Sequence, residues 1–130
     1  MATWDDVRRL ALAPPETSER RSRDSMQWRV KEKGFVWERP LTRADHKALG
    51  DAAPDGPILG VRVADVGVKE ALIADDPGVY FTTPHFDGYP AVLVRLEEIE
   101  FAELGELVLD AWLTQAPKRL ARQYLEASPS

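Results

Sequence analysis

This chain of 130 residues contains no cysteine. That excludes a disulfide framework, a thiolate zinc site and a cysteine nucleophile. Histidine is nearly absent, since His46 and His85 are the only two, and any imidazole chemistry must run through one of them. No apolar run approaches the roughly 18 residues that a membrane-spanning helix needs. The amino terminus also lacks the basic and then apolar pattern of a signal peptide, so a cytoplasmic protein without a membrane partner is expected. The eight glycines are scattered, which leaves no P-loop and no dinucleotide-binding loop. Neither a cofactor nor a metal is expected.

Forty-four per cent hydrophobic and thirty per cent charged residues are the composition of a globular protein, and the length suits one domain spanning residues 1–130. The formal net charge is −5, but the charge is unevenly spread. Between Arg20 and Arg39, seven basic residues stand against three acidic ones, a local charge of +4. From Glu97 to Asp110 there are six acids and no base. Two electrostatically different surfaces follow, either of which serves solubility alone or meets a charged partner.

Local patterns define the elements. Thr3 and Asp6 have the spacing of a capping box, and Trp4, Val7, Leu10 and Ala11 recur at helical intervals, predicting a helix to about Ala13 that Pro14 and Pro15 stop. The polar stretch Glu16 to Ser25 reads as a loop. Gln27 to Arg39 alternates as a hairpin turning near Lys33 and Gly34, with Trp28, Val30, Phe35 and Trp37 on the apolar face and Arg29, Lys31 and Lys33 on the other. A short helix capped by Thr42 runs to Leu49, a strand covers Ile58 to Ala64, and Asp65 caps a helix ending near Asp76 and Pro77. Strands follow over Val79 to Thr83 and Ala91 to Leu96. A long amphipathic helix starts at Phe101, and Pro117 separates it from a final helical segment whose last residues, from Ala127, fray. Hairpin-length links and mostly terminal helices predict an α+β fold of two layers, a five-stranded antiparallel sheet with helices packed on one face.

Two regions are candidate sites. The segment Thr83, Pro84, His85, Phe86, Asp87, Gly88, Tyr89, Pro90 packs two prolines, a glycine, two aromatic rings and a histidine between apolar strands. It is an ordered loop suited to recognising a small ligand or a protein partner, with Phe86 and Tyr89 the most exposed rings. Asp87 is placed to fix the His85 tautomer, but no nucleophile context accompanies them and two potential ligands do not make a metal site. The plainer alternative is that His85, Asp87 and Tyr89 bond across their own turn. The hairpin is the second candidate. Arg29, Lys31 and Lys33, extended by Arg62 and Arg95, form a basic ribbon for phosphates. Lys118, Arg119 and Arg122 make a second basic cluster at a helix start, where the dipole disfavours cations, and this adds to the case for an anionic partner. The four tryptophans fall on apolar phases and are expected in the core, and His46 on the surface.

The segments TWDDVRRLAL, WRVKEKGFVWERPL, YFTTPHFDGYPAVLVRL and DAWLTQAPKRLA together resemble the MmcQ/YjbR family of small bacterial proteins over nearly the whole chain. The resemblance implies a compact α+β domain similar to the frataxin-like or secretion-chaperone-like folds. It also implies DNA binding, the activity with which that family is commonly labelled. Carried onto this chain, the family pattern marks Thr83, Pro84, His85, Gly88, Tyr89, Pro90, Pro117, Lys118 and Arg119. The iron site of frataxin-like proteins is not implied, because the first helix carries only Asp5 and Asp6 where an acidic ridge is needed. The expectation is a non-enzymatic DNA-binding protein, weak and salt-dependent in its binding.

Overall fold

The structure, a computed structural model, describes residues 2–22 and 25–127. Arg23 of the basic segment and the carboxyl-terminal residues 128–130 lie outside the described residues. The helices are α1 (Trp4–Leu12), α2 (Arg43–Leu49), α3 (Val66–Asp75), α4 (Phe101–Gln115) and α5 (Lys118–Ala127). The strands are β1 (Thr17–Ser22), β2 (Ser25–Val30), β3 (Lys33–Glu38), β4 (Ile58–Arg62), β5 (Tyr80–Phe81) and β6 (Ala91–Arg95). They form one antiparallel sheet in the order β1-β2-β3-β4-β6-β5. The α+β class is as expected, with six strands among the described residues rather than five.

The additional strand is β1, in the stretch expected to be a loop. TSERRS has no apolar alternation because it is an edge strand, solvated for most of its length. Its register comes from β2, with Thr17 opposite Val30 and Ser22 opposite Ser25. Glu19 secures it by accepting from Arg8 Nε at 2.9 Å and from Trp28 Nε1 at 3.1 Å.

Side-chain hydrogen bonds set the helix starts. Thr3 and Asp6 form a reciprocal capping box on α1, Thr42 and Asp45 form another on α2, and Asp65 caps α3 by accepting from Val68 N at 2.9 Å. The main core lies between the sheet and α1 and α4, around the fully buried Trp112, Phe35, Leu59, Val61, Val92 and Leu104. Tyr80 adds a tie from β5 to α4 by donating its hydroxyl to Glu103, and burial together with this carboxylate pushes the phenol above its ordinary pKa of 10.0.

The β2–β3 hairpin departs from the expected register in two ways. Its turn is at Lys31 and Glu32, with φ of 55° and 105°, rather than at Lys33 and Gly34. A bulge between Trp28 and Arg29 then sets Trp28 opposite Val36 and Arg29 opposite Gly34, leaving Phe35 as the extra residue. Phe35 and Val36 both enter the core, and the pleat beyond them is inverted. Trp37 therefore lies opposite Gln27, on the other face of the sheet from Trp28.

That other face carries a smaller apolar cluster of Ile58, Phe81, Phe86, Ala91 and Leu93, with Trp37, Leu41 and Leu49 packed against it. At this end α2 and the Pro84–Phe86 turn cover the sheet. The part over β1, β2, β3 and the end of β4 stays open.

Candidate functional site

The segment between β5 and β6 is built from short-range geometry. Thr83 is extended, Pro84 opens a single 3-10 turn ending at Phe86, and Gly88 takes φ 74°, which a residue with a Cβ adopts only under strain. Backbone bonds close the turn: Phe86 N donates to Thr83 O at 2.9 Å and Tyr89 N to Phe86 O at 3.0 Å. Among the described residues the side chains of His85, Asp87 and Tyr89 make no hydrogen bond across it, contrary to the plainer alternative above. Phe86 is buried rather than exposed and forms the loop's anchor in the smaller cluster, while His85 packs edge-on against it with centroids 4.8 Å apart. Tyr89 is 46% exposed.

The strut under this loop is Lys69, a residue that sequence reasoning passed over. Its Nζ donates to Phe86 O at 2.5 Å and Tyr89 O at 3.0 Å, and the side chain is buried. Burial pushes the Lys69 pKa down, with the Asp87 and Glu70 carboxylates opposing. The signal was present: Val66, Lys69, Leu72 and Ile73 fall on one stripe of α3, so a lysine stands where an apolar residue is expected.

Beside the loop, on the open sheet face, is a groove of about 1060 Å³. Along it two glycines permit the Trp37 and Gln27 side chains to lie on the backbone. A Cβ on Gly60 would come within 2.3 Å of Trp37 Nε1, and one on Gly34 within 2.3 Å of Gln27 Nε2. Lys33, Arg62, His85 and Tyr89 border it, with Glu38 and Asp87 as its carboxylates. The Arg62 guanidinium sits 5.4 Å from the Tyr89 ring centroid, and Arg62 Nε is buried with no hydrogen-bond partner, as is Arg29 Nε. At the covered end Arg39 pairs with the buried Asp45 at 3.0 Å and lies 5.2 Å from the Phe86 ring. Burial alone would raise the Asp45 pKa. Hydrogen bonds with Thr42 and the Arg39 charge outweigh it and hold the carboxyl below its ordinary value.

The expected site residues separate into three groups. Arg29 alternates with Trp28 and Val30 and so points to the open face, as does Arg62, which alternates with buried core residues of its strand, whereas Arg95 lies on the same side at the covered end, donating to Pro77 O at 3.0 Å with its guanidinium 4.4 Å from the Phe81 ring centroid. Lys31 and Lys33 do not share that row. Lys31 occupies the turn with its ammonium 3.8 Å from Glu16, and Lys33 pairs with Val30 yet reaches the groove at the start of β3. Lys118, Arg119 and Arg122 are exposed on α5 and do not line the groove, while α5 itself docks through Leu120 and Tyr124, whose ring lies 5.0 Å from Trp112. The structure thus joins the loop to the hairpin but not to the carboxyl-terminal cluster. Trp28 and Trp112 are buried as expected, Trp4 and Trp37 only partly, and His46 is exposed. Among the described residues no group of three or more His, Cys, Asp or Glu side chains is arranged to hold a metal. No helix among them is long and apolar enough to cross a membrane.

Fold and site define an antiparallel α+β protein with one helix-covered face and one partly open face bearing a groove. The YjbR family model matches residues 12–114, and the chain belongs to that family. It is 59% identical over 131 residues to the uncharacterized protein Rv2570 of Mycobacterium tuberculosis, covering 98% of this chain and 99% of the relative. The uncharacterized protein Mb2600 of Mycobacterium bovis matches to the same extent. The crystal structure of Deinococcus radiodurans protein DR2400, a DUF419 domain, superposes with a TM-score of 0.70 over 100% of this chain and 92% of that one. At 21% identity this likeness shows the fold alone.

Proposed function

We propose that this protein is a non-enzymatic binding module for nucleic acid that sets phosphates along the open face of its sheet. One observation carries the reading. Three strands each place an arginine on that open part, Arg20, Arg29 and Arg62, while the α4 carboxylates Glu103, Glu106 and Asp110 belong to the helix layer on the other side. A cationic face turned away from the acidic one attracts a polyanion despite a net charge of −5. The exposed Lys118, Arg119 and Arg122 add phosphate contacts at the periphery in this reading.

The test is fluorescence anisotropy of labelled DNA with nuclease-treated protein across a salt series. Saturable binding that falls linearly with log salt is expected, and the double variant Arg29→Gln/Arg62→Gln should reduce the slope by about two counterions. Binding that is absent at low salt, or a slope indifferent to the two arginines, would remove the proposal.

A second reading, capture of a small ligand or protein partner by the Thr83–Tyr89 loop, is favoured by the strut itself. A buried lysine holding two carbonyls of an exposed loop keeps His85 and Tyr89 in place for recognition. His85→Ala should then abolish partner capture with the thermal midpoint unchanged.

A further inference from the structure

We infer that the groove takes single-stranded rather than duplex nucleic acid, with one unpaired base stacked on Tyr89; the inference rests on the sheet-face reading above.

The chemistry of the lining points this way. Phosphates alone need cations, and a duplex buries the faces of its bases within its own stack. A single strand offers those faces, and proteins that bind one pair a cationic track with exposed aromatic rings. Both are present here. Tyr89 is the exposed ring of an otherwise ordered loop, with the Arg62 guanidinium 5.4 Å from its centroid on one side and its carbonyl held by Lys69 at 3.0 Å. Its position is thus set before binding, which lowers the ordering cost of stacking. On the floor, Trp37 lies across Gly60 and lines the same groove, a second ring beneath the track.

The cations stand where a backbone leaving that base would run. Lys33 and Arg62 border the groove, and the Arg62 guanidinium is in no ion pair among the described residues, while Arg29, which donates to Glu32 O at 2.6 Å, stands on the same sheet face outside the groove lining. The two carboxylates are not equivalent. Glu38 is engaged, accepting from Met26 N at 2.5 Å, whereas Asp87 faces the Lys69 charge. Neither cancels the arginines directly, since neither pairs with Arg62 or Arg29 among the described residues. The groove is concave and walled by the loop on one side, a shape that admits a flexible strand and resists a stiff, convex duplex.

The experiment compares a fluorescein-labelled oligothymidylate of about 12 nucleotides with its duplex, using the full chain as wild type, Tyr89→Ala and Tyr89→Phe. The single strand should bind more tightly than the duplex. Tyr89→Ala should lose about tenfold on the single strand and leave the duplex unchanged, and Tyr89→Phe, which keeps the ring, should retain the wild-type affinity. Tyr89 is exposed, so circular dichroism of both variants should match wild type. Equal or tighter duplex binding, or single-strand binding indifferent to Tyr89→Ala, would overturn the inference and leave the arginine face standing. Failure of both probes to bind at low salt would remove the two together.

Discussion

The Lys69 ammonium donates to the Phe86 carbonyl at 2.5 Å, tying the middle of α3 to a turn 17 residues further along the chain. The same ammonium reaches the Tyr89 carbonyl, so one side chain sets both ends of the loop wall. Lys69→Met keeps the stem and removes the donors. Two carbonyls then lose a charged partner, and the urea midpoint should fall by the equivalent of about 1–3 kcal/mol. Amide hydrogen exchange should quicken first at Phe86, Asp87 and Tyr89, whose bonds lie inside the loop; uniform quickening across the sheet would place the strut elsewhere.

Gly60 and Gly34 test the floor of the groove. Gly60→Ala drives a Cβ into the Trp37 indole, which is wide and packed against the smaller apolar cluster, so a loss of about 1–3 kcal/mol and a red-shifted tryptophan emission are expected. Gly34→Ala meets the end of the Gln27 side chain, which swings aside more readily. Its loss should be the smaller of the two, and the reverse order would contradict the packing described.

The hairpin turn holds Lys31 and Glu32 at φ of 55° and 105°. Both lie in the left-handed half of the map, where a side chain costs about 1 kcal/mol relative to glycine. Glu32→Gly should therefore raise the thermal midpoint, by the equivalent of about 0.5–1 kcal/mol, with the far-ultraviolet spectrum unchanged.

Asp45 makes stability depend on pH in the acid range. Its pKa in the folded protein lies below the ordinary 3.8, so the folded state holds the ionised form more firmly than the unfolded chain does. The stability it contributes is present in full above that value and is lost as pH falls through the folded pKa. Urea unfolding followed from neutral pH downward should show a steeper acid decline for wild type than for Asp45→Asn. At neutral pH Asp45→Asn should be the less stable protein, because Arg39 loses its buried counter-charge. Parallel acid limbs would show that other carboxylates set the decline.

Much of this protein was determined by short-range features of the sequence. The caps at Thr3, Thr42 and Asp65, the stops at Pro14 and Pro77, the alternation of Trp28 with Val30 and the helical stripe of α4 act over a few residues, and each element formed where they indicated. The separation of basic hairpin from acidic helix was visible for the same reason. Tertiary structure decided what depends on partners distant in the chain. TSERRS is a strand because β2 offers it an edge, and nothing inside those six residues says so. One bulged residue, Phe35, moved Trp37 from the expected core face to the groove, since a period of two inverts with a single insertion. Lys69 is intelligible only beside carbonyls 17 and 20 residues away. The groove that joins the loop to the hairpin exists because strand order sets β4 between β3 and β6, a pairing that local propensity does not encode.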